Sequence, residues 1–430
     1  MIIFMVRHFN DIDHLAPVAW KLKVDGYPVA VYCMNPRYDI ESDYRLQFLK
    51  NCGITIAHLS DEFGRHHDPF YNILYHLSQK CFDIEKKFTS QGPKSGKSPL
   101  VAFGKLAGFV GRKTYKLRRK MYYNLRWARS ILARSQAQVI CFDYVMPSLY
   151  FVDILMRSAK EMSIPSIALP HGIQLYTNAE SKPKSTDSRR FEKFNRFDYV
   201  VAPNQLRKEI LVCSGIDEEK IIVLGSARYC RKWLDQNQKI LPGMMNIVAS
   251  GTGKLKVVLM PSKPQARLDV ERMLSTCAML ADLDTVHVVI KPHTRSRGYQ
   301  DLFADIQLPD VSQIHTAELL EWADVLLVVG SSVILETLMF GKPALYLKYL
   351  HPNTTLFEEM GACWTIHDED ELKEALLSLS TEKTAVPYAQ ENVDKFLSEV
   401  VYGGNQDREV LAAYENFLLV CCRQHGAITD

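Results

Sequence analysis

The stretch 323–347, ADVLLVVGSSVILETLMFGKPALYL, narrows the fold more than any other part of the chain. VLLVV is apolar throughout, as strands buried on both faces of a parallel sheet are. GSS then makes a tight turn, VILETLMF reads as a helix, Gly341-Lys342-Pro343 ends it, and ALYL reads as a second strand. The turn places Ser331 and Ser332 at the helix start, where free backbone N–H groups and the positive helix end form an anion site. Glu336 lies one turn on from Ser332 along the same face, where a carboxylate can take ribose hydroxyls. Phosphate plus ribose specifies a nucleotide. The competing reading is a purely structural βαβ unit.

A chain of 430 residues exceeds one ordinary core, so at least two domains are expected. Two series of alternating strands and helices appear. The first contains IIFMV, YPVAVYCM, ITIAHL, QVICFDY, SIALPHG, FDYVVAPN and KIIVLGSAR; the second contains KVVLMPSK, VHVVIKPH and the opening unit. The expected fold class is α/β, with two Rossmann-like domains, a cleft between them and a C-terminal helix. The expected boundaries are an N-terminal acceptor domain over 1–240 with a basic helical insert at 86–142, a nucleotide-donor domain over 241–404, and a final helix over 405–430 that can cross back. Residues 60–98 read as polar and without definite structure, 101–135 as helical and 237–254 as a linker.

Ten cysteines stand without CxxC pairs or Cys/His clusters, which fits reduced thiols and neither a disulfide framework nor a zinc site. The apolar run before Arg7 is too short for a signal peptide and reads as a buried strand. No run approaches the roughly 20 apolar residues of a membrane span. Charge is unevenly spread. Residues 86–142 hold 14 Lys/Arg and no Asp/Glu, leaving 38 of the 52 basic residues to face all 49 acidic ones. Within 111–134 the basic residues alternate with Tyr115, Tyr122, Tyr123 and Trp127, a composition suited to an anionic membrane surface. Nucleic acid and a plain solvated face are the rival partners.

Ligands of open α/β sheets bind beyond the carboxyl ends of the strands. In the second series those ends carry Ser262 and Lys263, then Lys291 and His293, then Ser331 and Ser332. Together they suit a phosphate. In the first series Asp143 ends a buried strand, as a general base, a nucleophile or a cap of the next helix. His171 stands in Pro170-His171-Gly172, catalytic or packed on the sheet. Arg7, Asp11 and Asp13 crowd the first strand–helix loop as acceptor-binding candidates. Arg228 can fork onto a carboxylate. SGTGK at 250–254 fails as a phosphate loop, because Val248 and Leu255 stand where Gly and Ser/Thr are required. HExxH and GxSxG are absent, and no acidic pair marks a metal site.

The combination of Lys291-Pro292-His293, Gly330-Ser331-Ser332 with Glu336, and Gly341-Lys342-Pro343 resembles the nucleotide-binding half of GT-B transferases. More narrowly, it is similar to enzymes that build bacterial surface polysaccharides from cytidine-activated donors: sialyltransferases, Kdo transferases and CDP-glycerol glycerophosphotransferases. Thr294 departs from that pattern, which has Pro there. The resemblance implies a metal-independent glycosyltransferase of O-antigen or capsule synthesis with no cofactor. It would transfer a sugar, Kdo from CMP-Kdo as the leading donor, to a lipid-linked or oligosaccharide acceptor. It also implies a peripheral place on the inner face of the cytoplasmic membrane and no nucleic-acid partner. Glycerophosphate transfer, a UDP-GlcNAc 2-epimerase-like isomerisation and a non-catalytic nucleotide-binding module are the alternatives.

Overall fold

The computed structural model describes residues 1–63, 68–90, 99–143, 151–178, 195–241, 253–262, 267–292, 308–404 and 409–426. The chain forms two compact units. One comprises Met1–Leu169, Lys193–Val200 and Glu415–Asp430, the other Pro170–Glu192 and Val201–Tyr414.

The first sheet has seven strands: β1 Ile2–Val6, β2 Val29–Cys33, β3 Thr55–His58, β4 Val139–Asp143, β5 Ser166–Leu169, β6 Tyr199–Ala202 and β7 Ile221–Val223. Their spatial order is β3-β2-β1-β4-β5-β6-β7. The order runs outward in one direction from β1 and in the other from β4, so the switch point lies between these two strands. Both are buried along their whole length, which is why IIFMV and VICF are apolar without alternation.

The second sheet has β8 Leu255–Met260, β9 Val286–Ile290, β10 Val325–Val328, β11 Ala344–Leu347 and β12 Trp364–Ile366. They are ordered β12-β11-β10-β8-β9, which puts the switch point between β8 and β10. Register is parallel, with Leu327 opposite Leu259 and Val328 opposite Met260. Its core interleaves Val257, Leu259, Leu327 and Leu345 with Met273, Leu280, Leu372 and Leu376 from the flanking helices.

Two local expectations are corrected. The first helix begins at Phe9, so Asp11 and Asp13 are helical and not in a loop. The segment read as lacking structure contains a helix, Pro69–Ser90, which buries Tyr71, Leu74, Ser78 and Cys81 on one face at helical spacing. Residues 312–315 form a turn leading into the helix Thr316–Trp322.

The basic segment forms two helices, Pro99–Tyr122 and Leu125–Arg134. Its aromatic component turns inward. Tyr123 and Trp127 are buried, and Trp127 Nε1 donates to the Phe63 carbonyl at 2.8 Å. Arg118 is buried with its guanidinium over the rings of Tyr71, Tyr75 and Tyr115.

Candidate functional site

Each sheet gathers polar side chains at its switch point, and the two sets differ in kind. In the first unit, Arg7 follows β1 and Asp143 is the last residue of the neighbouring β4. Asp11 comes from the first turn of the helix Phe9–Val24. Arg7 grips Asp11 with a fork, Nε to Oδ2 at 2.7 Å and Nη2 to Oδ1 at 2.9 Å. The same Nη2 donates to Asp143 Oδ2 at 2.7 Å. The Arg7 backbone N–H also donates to Asp11, and His8 Nδ1 lies 3.2 Å from its other oxygen.

Both carboxyls are fully buried. Burial, and then the charge of Asp143, pushes the pKa of Asp11 up to about 6 against the pull of Arg7. Burial likewise raises Asp143 to about 6, opposed by Asp11 and Arg7. One guanidinium therefore serves two carboxyls that hold a proton well above the usual carboxylate range. Asp143, expected as base or nucleophile, is sealed from solvent and bonded to Arg7. Asp13 separates from this group and pairs with Arg45, which Asp43 and the Phe9 carbonyl also hold. Two helix positions amount to about 200° of rotation, so Asp11 and Asp13 diverge. His171 is exposed and lies two residues past Leu169, the register partner of Asp143.

In the second unit the turn after β10 is the centre. Gly330 has φ +60°, and a Cβ there would stand 2.5 Å from Tyr176 Oη and 3.2 Å from His351 Nε2. Only glycine fits that space and that backbone. Tyr176 donates its hydroxyl to the Gly330 carbonyl at 2.7 Å. Ser332 is the residue before the helix Val333–Met339, but its side chain does not cap that helix; its Oγ accepts from Tyr229 Oη at 3.1 Å. Ser331 Oγ accepts the Val333 N–H at 3.4 Å.

Glu336 is buried, 3.9 Å from the guanidinium of Arg228. His351 is also buried, and its Nδ1 accepts the Asn353 N–H at 3.1 Å. Burial, helped by Lys348, lowers its pKa to about 4. The ring is therefore neutral near pH 7, with the proton on Nε2, the atom beside Gly330. Among the described residues Nε2 has no hydrogen-bond partner.

Ser262 is buried just past β8. Lys291 follows β9, and its ammonium is tied to the carbonyls of Ile314 and Ser312. Burial lowers its pKa against the pull of Asp310 and Glu318. Lys263 and His293 lie outside the described residues. Tyr176, Tyr229 and His351 escaped the sequence reading. Tyr229 directly follows Arg228, but nothing local ties Tyr176, 154 positions away, to Gly330.

Two parallel-sheet, Rossmann-like α/β domains, each with polar groups at the switch point, define the GT-B fold. The chain is similar over 97% of its length to the whole of UDP-GlcNAc 2-epimerase from Methanocaldococcus jannaschii, with 12% identity and a TM-score of 0.55. It is similar over 97% of its length to 98% of the Neisseria meningitidis UDP-GlcNAc 2-epimerase bound to UDP-GlcNAc, with 14% identity and a TM-score of 0.50. Along its full length it is similar to 89% of the wall teichoic acid polymerase TagF soaked with CDPG, with 15% identity and a TM-score of 0.52. No protein-family model matches the sequence, and no curated protein matches it significantly.

Proposed function

We propose that the protein is a transferase that uses a nucleotide-activated donor to extend a surface polysaccharide. The observation that carries this reading is the turn at Gly330, with Ser331, Ser332, buried Glu336 and the His351 N–H at the switch point of the second sheet. Glu336 takes the ribose hydroxyls, and the serine hydroxyls with His351 meet the phosphate. Ser262 and Lys291 stand at the neighbouring strand ends, with Lys263 and His293 next along the sequence as further phosphate-binding candidates. Arg228 takes a second anionic group, which a carboxylate-bearing sugar such as Kdo provides.

The acceptor hydroxyl gives its proton to a base and attacks the anomeric carbon, the bond to the nucleotide phosphate breaks, and hydrogen-bond donors stabilise the charge that develops there. The exposed imidazole of His171 suits the base. Asp143 and Asp11 then act by fixing Arg7, an acceptor-side cation, while Asp13 holds its element through Arg45. A lipid-linked glycan at the inner membrane face is the proposed acceptor, and CMP-Kdo the leading donor. Glycerophosphate from CDP-glycerol needs the same pocket without a carboxylate to hold, and the likeness to TagF supports it.

The second reading is a UDP-GlcNAc 2-epimerase-like isomerase, which the near-complete mutual coverage with those enzymes supports. A thermal-shift titration with CMP, CDP, UDP and GDP separates the two. A nucleotide at about 100 times its Kd adds roughly 2.7 kcal/mol. Stabilisation by CMP or CDP, lost in Ser331→Ala and Glu336→Gln, is expected. A response to UDP alone transfers the assignment to the isomerase, and no response to any nucleotide removes the pocket.

A further inference from the structure

The helices Pro69–Ser90 and Pro99–Tyr122 of the first unit pack on each other, the second with its glycines inward. Gly104, Gly108, Gly111 and Thr114 are buried on the second helix. A Cβ on Gly108 would fall 2.1 Å from the Glu85 carboxyl, and one on Gly111 would fall 2.9 Å from Cys81 Cβ. The large apolar side chains point the other way. At about 100° per residue, Phe103, Leu106, Val110, Leu117 and Met121 share a sector roughly 60° wide. They are 52%, 60%, 40%, 46% and 46% exposed. Lys105, Arg112, Lys113, Lys116 and Lys120 occupy the adjoining sector, all exposed. The first helix adds Phe70, Ile73 and Leu77 at i, i+3 and i+7, again about half exposed.

A bordered apolar patch of this kind marks a surface with a partner. We propose that this helical pair is a membrane anchor that lies in the plane of an anionic bilayer. The Phe103–Met121 stripe enters the upper acyl region and the lysines meet the lipid phosphates. Charge selects this partner. The longer helix has no acid; on its neighbour Glu85 is paired with Arg112 at 2.8 Å, which leaves Asp83 as the exposed acid facing Lys80, Lys86 and Lys87 of the same helix and the basic sector of the other. A second copy of the same face would bring lysine against lysine. A water-filled crystal-like contact with another protein would leave the stripe wet, whereas lipid covers apolar and basic sectors together. Among the described residues no helix is long and apolar enough to cross a membrane, so the pair lies on the bilayer without spanning it. The buried Tyr123, Trp127 and Arg118 belong to the protein core, which moves the lipid-facing surface from 111–134 to 100–121.

This inference goes beyond the transferase reading and does not depend on it, because vesicle binding needs neither donor nor acceptor. The test is flotation of the full chain with phosphatidylcholine vesicles, with and without phosphatidylglycerol, alongside light scattering without lipid. One variant carries Leu106→Ser and Leu117→Ser, the other Lys113→Gln, Lys116→Gln and Lys120→Gln. All these side chains are exposed, so both variants should melt with the wild type. The wild type is expected to float with the anionic vesicles only. The first variant should stay behind, and the second should lose about a hundredfold in partitioning. Absence of flotation, or flotation indifferent to both variants, overturns the proposal. So does a wild-type dimer that the serine variant converts to monomer, since the stripe is then covered by a second copy.

Discussion

The two switch points solve the same problem with opposite chemistry. In the first unit, charges are buried against charges, one guanidinium holding two carboxyls with no exposure. In the second, the turn at Gly330 is lined by hydroxyls and a neutral imidazole, with one buried carboxylate beside an arginine. The first arrangement spends its hydrogen bonds internally and fixes geometry. The second leaves the buried Nε2 of His351 without a hydrogen-bond partner among the described residues. The common position beyond parallel strands therefore does not by itself say what a site does; the balance of internal partners does.

The largest test of this contrast is Arg7→Met. Removing one member of a buried ion-paired group costs about 3 kcal/mol or more, which urea unfolding at pH 8 would register. The cost should shrink at pH 5, where both carboxyls take up protons and need the cation less. A cost independent of pH would mean that Arg7 contributes packing alone. Next is Gly330→Ala, expected to lose about 1–3 kcal/mol from a positive φ and the crowding of Tyr176, together with nucleotide stabilisation. If the variant binds as wild type does, the turn is not the nucleotide site. His351→Phe should keep the fold and weaken nucleotide binding about tenfold, the worth of one hydrogen bond to a charged group, read by titration calorimetry.

The pH profiles should also run in opposite directions. The folded state holds the protons of Asp11 and Asp143 more tightly than the unfolded chain, about 6 against 3.8. Their contribution to stability is greatest below about pH 4 and falls as pH rises to about 6. His351 is lowered from 6.5 to about 4, so its contribution is lost as pH falls through that window. Asp143→Asn should flatten the first slope and His351→Phe the second, followed by urea midpoints between pH 4 and 7. The smallest effect is Tyr229→Phe, about 1 kcal/mol from the lost bond to Ser332.

The second switch point was legible because a GSS turn between two all-apolar runs leaves few foldings open. The strand ends at Ser262, Lys291 and Ser331 are named by the same logic. The role of Lys291 was not legible, because its bonds go to Ser312 and Ile314, more than twenty positions on. The helix Pro69–Ser90 was hidden by polar residues and tyrosines, since its packing face is mixed and its exposed face is partly apolar. That inversion is also why the basic segment looked uniform: periodicity shows that two faces exist, but not which one meets protein.

Local pattern alone determined the parallel strands, the two α/β series and the glycine turn, because apolar runs, periodicity and backbone freedom act within a few residues. Tertiary structure alone decided that Asp143 is sealed under Arg7, that Asp13 leaves for Arg45, and that Tyr176 and His351 close on Gly330. Burial and pairing arise from residues tens to hundreds of positions apart, and only the folded chain brings them within hydrogen-bonding distance.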